Sequence, residues 1–325
     1  MTDRKSVWQL SKGIQYLEDD LYMMDSNEVL AAFGLDWKVE LNNVYTKDED
    51  GVIEIPNRYA TVRVCNDGAR VPLEVVGTKY KVTQNHEFID LLDQLRKRQI
   101  AEFCGGGYLK NGQGVYAVMK LNRDVNIKSD PHAPYLIART SHDGSSAVQV
   151  APLLMRIMCT NAITRSLMRS DMKYTKKHTT FSQLNVDDLI SRVEIVSNDI
   201  DTYASLANVL IEQSFTDGEF ESLLLSQFDI PSHILTSSED MLSRGEKILR
   251  NRALHYRGHA RRAWYSISQD TQGNIKNTKY GAFQAIIEAI DHHGHGMNER
   301  QAMNIINDND SSLKDKALRL ITTGA

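Results

Sequence analysis

Apolar residues recur along the chain with two different periods, and the switches between them mark out its elements. From Tyr59 to Val82 the residues Val62, Val64, Val71, Val75, Val76 and Val82 are interrupted by Asn66-Asp67-Gly68 and by Gly77, which predicts two or three short strands. Asn85 is placed to cap a helix running from His86 to Arg98, in which Phe88, Leu91, Leu92 and Leu95 recur at three and four residues and give one apolar face. Two hairpins follow. The first brackets Asn111-Gly112, a dipeptide suited to the positive φ angles of a tight turn, and the second brackets His142-Asp143-Gly144. From Leu153 to Arg169 the period becomes helical, with Leu154, Ile157 and Met158 on the apolar side. Residues 186–264 read as mostly helical with a break at Pro231. Leu249, Ala253, Tyr256, Ala260 and Ala263 form the inward stripe of a helix from about Met241 to Tyr265. A helix over Tyr280–Ile290 and a short one from about Ser312 complete the chain. Near the start, a short helix around Asn27–Phe33 is capped by Asp25 or Ser26, and a polar loop ends at Gly51. Strands and helices do not alternate as a parallel sheet requires, so the fold class is α+β: an antiparallel sheet of hairpins packed on helices, followed by a mostly helical region.

Charge divides the chain more sharply than hydropathy does. Residues 1–50 hold 5 basic and 11 acidic groups, 51–180 hold 19 and 11, 181–243 hold 1 and 12, and 244–325 hold 13 and 8. The whole is only mildly acidic, at −4, so any anion-binding site is a local patch and not a general property of the surface. The expected organisation is an acidic N-terminal arm over 1–55, an α+β core with a basic helix over 56–180, and a helical region over 181–325. That last region has an acidic part (181–243), a basic part (244–265) and C-terminal helices. Three cysteines, Cys65, Cys104 and Cys159, lie far apart and read as reduced thiols. No stretch has the roughly 18 apolar residues of a membrane span, so no membrane partner and a cytoplasmic location are expected.

Several segments invite a chemical reading. Cys104-Gly105-Gly106-Gly107 lies within a strand, where glycines mark a bulge or a close backbone approach, and it lacks the helix that a phosphate loop opens. His142-Asp143-Gly144-Ser145-Ser146 holds the residue types of a hydrolase triad, but triad members meet from separate segments, and hairpin chemistry accounts for it. His292, His293 and His295 form the densest histidine cluster. A helix end capped at Gly294 explains them, so no metal and no cofactor are assigned. The cations remain. Arg165, Arg169 and Lys173 fall four apart on the expected basic helix, and Arg156, Lys176 and Lys177 extend the set, with Tyr174 and His178 interleaved. Lys79, Lys81, Arg139 and His142 from the core complete it. Cations that track a backbone, beside rings that stack, are what single strands bind.

Taken together, Val76-Gly77-Thr78-Lys79-Tyr80-Lys81-Val82-Thr83-Gln84-Asn85, Gly107-Tyr108-Leu109, Ser141-His142-Asp143-Gly144-Ser145-Ser146-Ala147 and Arg156-Ile157-Met158-Cys159-Thr160-Asn161-Ala162 form one ordered set. It closes with Asn277-Thr278 and Ala285–His292. This set resembles a phage/plasmid-like family of unknown function, number 932 in the domain-of-unknown-function series. The resemblance implies a mobile-element protein and brings no catalytic residues with it. The order of elements is also similar, in topology alone, to the core of single-strand annealing proteins. The expected function is therefore a non-enzymatic, oligomeric phage or mobile-element protein that binds single-stranded DNA in recombination or annealing. The alternatives are a protein-interaction module that inhibits a host defence or DNA-processing complex, and a metal-dependent nuclease built on the histidine cluster.

Overall fold

A computed structural model describes residues 24–123, 125–128, 130–156, 162–164, 174–179, 185–267, 275–291 and 311–324. The fold is α+β with antiparallel sheets, and the chain divides into two compact units. One comprises 1–123, 135–152 and 171–196, the other 124–134, 153–170 and 197–325.

The first unit opens with α1 (Ser26–Ala32). Asp25 caps it by accepting from the Asn27 and Glu28 N–H groups, while Glu28 accepts from the Asp25 N–H at 2.8 Å. Next come β1 (Lys38–Asp48), β2 (Gly51–Val64) and β3 (Arg70–Gly77), a three-stranded antiparallel sheet in the order β1-β2-β3. The polar loop expected to end at Gly51 is thus mostly strand: β1 runs to Asp48, and only Glu49 and Asp50 turn the chain. Helix α2 (Asn85–Lys97) buries Phe88, Ile89, Leu91, Leu92 and Leu95, as its spacing requires, at about 1.5–3 kcal/mol of transfer energy for each large side chain. Gln84 precedes it. The Gln84 side-chain amide accepts from the Val39 N–H (3.0 Å) and donates to the Val39 carbonyl (2.8 Å), so it pairs with the outer edge of β1 as a further strand residue would.

A second sheet contains β4 (Ala101–Leu109), β5 (Gly114–Leu121), β7 (Asp130–Ser141), β8 (Val148–Arg156) and β10 (Tyr174–Lys176), in the order β10-β8-β7-β5-β4. The glycines of β4 behave as expected. The register shifts between Phe103 and Gly105, and a Cβ on Gly106 would lie 2.2 Å from the Phe33 ring. The connection at Asn111-Gly112 is longer than a two-residue turn: Lys110, Asn111 and Gly112 all have positive φ, at 47°, 60° and 110°. Gly112 lies against Trp37 and Arg63, and a Cβ there would be 3.1 Å from the Trp37 ring.

The helix expected over Leu153–Arg169 is a correction. Among the described residues this stretch is strand: β8 continues to Arg156, and β9 (Ala162–Thr164) pairs with it, Leu153 opposite Thr164. Leu153 and Leu154 are both fully buried, so this strand is covered on both faces. Adjacent apolar residues of that kind imitate a helical stripe.

In the second unit β6 (Val125–Ile127) pairs with the start of β7, and the remainder is helical. The helices are α3 (Val186–Ile211, whose residues from 197 belong here), α4 (Asp217–Gln227), α5 (Ser232–Thr236), α6 (Arg244–Ser266), α7 (Lys279–Asp291) and α8 (Ser311–Thr323). The break at Pro231 lies where the sequence places it. Helix α7 is buried from Tyr280 through Ile287, and α6 and α8 pack against it. On α6 the expected inward residues Ala253, Tyr256, Ala260 and Ala263 are buried, but Leu249 is exposed. Trp264 stacks on Phe220 (centroids 4.7 Å apart) and donates to Asp217 (2.8 Å). Arg257 points inward to the Phe228 carbonyl (2.7 Å), and Arg261 grips Glu221 with two nitrogens (2.6 and 2.8 Å). Among the described residues no helix is long and apolar enough to cross a membrane.

Candidate functional site

Three of the sequence motifs meet in the first unit. Beyond β3 the chain turns at Gly77, and Tyr80 pairs antiparallel with Thr179, so the Lys81 N–H donates to the His178 carbonyl at 3.2 Å. The Tyr80 hydroxyl donates to the Ser141 carbonyl at 2.9 Å, and burial pushes that phenol well above its ordinary range. Gly144, at φ 74°, lies against Val76 and Tyr80. Its left-handed backbone is the reason a glycine ends this turn.

Two buried histidines knit the motifs together. His142 is fully buried, edge-on to Trp37 with centroids 5.4 Å apart, and its Nε2 lies 2.9 Å from Asn85 Oδ1. The Asn85 amide nitrogen already donates to the Leu35 and Trp37 carbonyls, so its oxygen accepts and His142 carries its proton on Nε2. Nδ1 has no hydrogen-bond partner. Burial, aided by the nearby His178, pushes the His142 pKa down to about 3 and holds the ring neutral. His178 stacks on Tyr80 (centroids 5.3 Å apart). Its ring nitrogens lie 3.2 Å from the Thr83 hydroxyl and 3.0 Å from that of Thr140, and burial lowers its pKa as well. Asp143 in the adjoining turn stays below the usual carboxylate range: burial would raise it, but hydrogen bonds from Ser145 and Ser141 outweigh that.

Beside this network opens a groove of about 390 Å³. Lys81, Thr83, Lys177 and His178 line it, together with Glu87, Asp90 and Gln94 from α2. The pairing of Tyr80 with Thr179 is what gathers these lysines, since it sets residues 79–81 alongside 177–179. Lys79, Lys81 and Lys177 are exposed. Lys176 lies 3.8 Å from Asp188 and 5.9 Å from the centroid of Tyr174. The groove therefore offers ammonium groups next to hydroxyl, amide and carboxylate acceptors. Neither imidazole is placed as a general base, because His178 is engaged at both nitrogens and His142 is sealed away.

The sequence-predicted set is divided by this geometry. Lys81 and Lys177 come together on the groove, while Lys79 and Lys176 adjoin them in the chain but are not on its lining. Arg139 is held by the Gln149 amide oxygen through two nitrogens (2.9 and 2.7 Å), and His142 lies in the core and not in the groove. Arg156 belongs to strand β8. Arg165, Arg169, Lys173, His292, His293 and His295 lie outside the described residues, and among those that are described no cluster of three metal-binding side chains occurs. Sequence reasoning missed Thr83, Thr140, Glu87 and Asp90. Thr83 sits two residues from Lys81, but nothing in the sequence pairs it with His178.

These features define an α+β protein whose motifs close a lysine-flanked groove over a neutral histidine network. The chain belongs to the family described as "Domain of unknown function (DUF932)", whose profile matches residues 72–318. No curated protein and no solved structure matches it.

Proposed function

We propose that this protein binds single-stranded DNA without catalysing a reaction on it, within the cytoplasmic DNA metabolism of a phage or other mobile element. One observation carries the reading: the alignment of residues 79–81 on 177–179, which brings Lys81 and Lys177 onto the lining of a groove large enough for a base, with Lys79 and Lys176 next to them along the chain. Phosphates track the lysines, while Thr83, Gln94, Glu87 and Asp90 meet base amino groups. The carboxylates keep the groove from being an indiscriminate polyanion trap, which accords with the modest net charge.

The test is the binding of a labelled oligonucleotide at increasing salt. Lys81→Ala with Lys177→Ala should weaken binding at every sequence and make the salt slope shallower by about 1–2 units of log K per log salt. Glu87→Gln with Asp90→Asn should strengthen it. Salt-independent binding, or binding indifferent to both variants, overturns the reading.

The acidic tract from Val193 to Ser243, which contains no Lys or Arg, supports a second reading as a protein-interaction module that inhibits a host complex. Co-purification with a host nuclease or helicase after nuclease treatment is its test.

A further inference from the structure

The groove of the first unit sets opposite charges over an apolar lining. Val82, Leu91 and Val186 contribute carbon surface, Lys81 and Lys177 ammonium groups, and Glu87 and Asp90 carboxylates. Several of the other polar groups on it are already spent. His178 lies against the Thr83 and Thr140 hydroxyls, Gln94 Oε1 accepts from Arg98 at 3.1 Å, and Glu87 Oε2 accepts from the Gln84 N–H at 2.8 Å to cap α2. Asp90 differs. It stands one helical turn beyond Glu87, so the two share a face of α2, but it is exposed and neither of its oxygens has a partner among the described residues. The ammonium groups of Lys81 and Lys177 are exposed and open in the same way.

A carboxylate with both oxygens open accepts two parallel N–H groups, as it does from a guanidinium fork. Guanine presents such a fork on its pairing edge, N1–H beside the 2-amino group. Adenine and cytosine offer one amino group next to ring acceptors, and thymine offers one N3–H between two carbonyls. The next group along the guanine edge is the O6 acceptor, which suits an ammonium group. We infer that the groove takes guanine in preference to the other bases, with Asp90 accepting from N1–H and the 2-amino group, a lysine donating to O6, and the ring lying on Val82 and Val186. The inference rests on the single-strand reading proposed for this groove and adds base selectivity to it, with Asp90 as the residue that sets the choice.

The probe is a strand of about six thymidines carrying dG, dA, dC or deoxyinosine at its centre, titrated into full-length protein. The dG strand should bind about tenfold more tightly than the all-thymidine strand, and the dA and dC strands should not. Deoxyinosine keeps N1–H and O6 but lacks the 2-amino group, so it should lose most of the gain without any change to the protein. Asp90→Asn turns one acceptor into a donor facing the same edge. It should abolish the preference for dG while binding the all-thymidine strand at least as tightly as the parent, and its thermal melt should match because the position is exposed. Free dGMP, with a single phosphate, should compete only at a concentration at least about a hundredfold above that of the dG strand. Equal affinity for the dG and all-thymidine strands, deoxyinosine as tight as dG, a preference that survives Asp90→Asn, or dGMP competing at the strand's own concentration overturns the inference. The single-strand reading survives the first three of these if binding still falls with salt; no salt-sensitive binding to any strand overturns both.

Discussion

At Gly106 a single methyl group decides whether α1 can dock. The Phe33 ring occupies the space where a Cβ would go, and Phe33 is itself fixed edge-on to Phe103 (6.0 Å). Gly106→Ala should therefore cost about 3 kcal/mol in urea unfolding, at the upper end of overpacking effects. The sequence announced a close approach here through three consecutive glycines within a strand, but not what approaches. His142 shows the opposite limit. Its place in an Asp-Gly turn suggested solvent or groove, yet Asn85 and Trp37, some fifty and a hundred residues earlier in the chain, draw it into the core. Its neutral state has a measurable consequence. Because the folded pKa, about 3, lies below the ordinary 6.5, the unfolded chain binds a proton that the native state refuses. This contribution is fully present above pH 6.5 and is lost as pH falls toward 3, at up to about 1.4 kcal/mol per pH unit. His178, also lowered, acts in the same direction. His142→Gln, which keeps a donor for Asn85, should flatten the stability profile between pH 5 and 6.5, and an unchanged slope would refute the assignment.

Elements with self-contained signals were legible in the sequence. Helix α1 is written in Asp25 and Glu28, three residues apart, and Asp25→Ala should destabilise the protein by about 1 kcal/mol, read from its denaturation midpoint. Helix α2 is written in its apolar spacing. Elements that depend on a distant partner were not. The end of β8 carries apolar residues on both faces, so a strand looked like a helix. The β1–β2 pairing was hidden because most of its side chains are exposed, which leaves charged and apolar residues mixed without clean alternation. On α6 the inward stripe was legible but the fate of its cations was not: Arg250, Arg257 and Arg261 are turned to protein acceptors, whereas Arg262 is exposed.

Across the whole molecule the uneven charge found in the sequence has partly internal and partly external uses. In the second unit the basic α6 answers the acidic α4 through Arg261 and Glu221, each about 40% exposed, so this pair organises more than it stabilises. In the first unit the lysines gathered by residues 79–81 and 177–179 remain at a surface, and the candidate site rests on them. What the sequence could not convey is adjacency: lysines about a hundred residues apart become neighbours because one short antiparallel bridge forms. A last consequence concerns Gln84. By answering both peptide groups of Val39 with one side chain, it plugs the border of the first sheet where α2 begins. A foreign strand creeping along β1 from the hairpin tip would stall there unless it evicted the glutamine and loosened the start of the helix, so the docking of α2 doubles as a guard against templated aggregation.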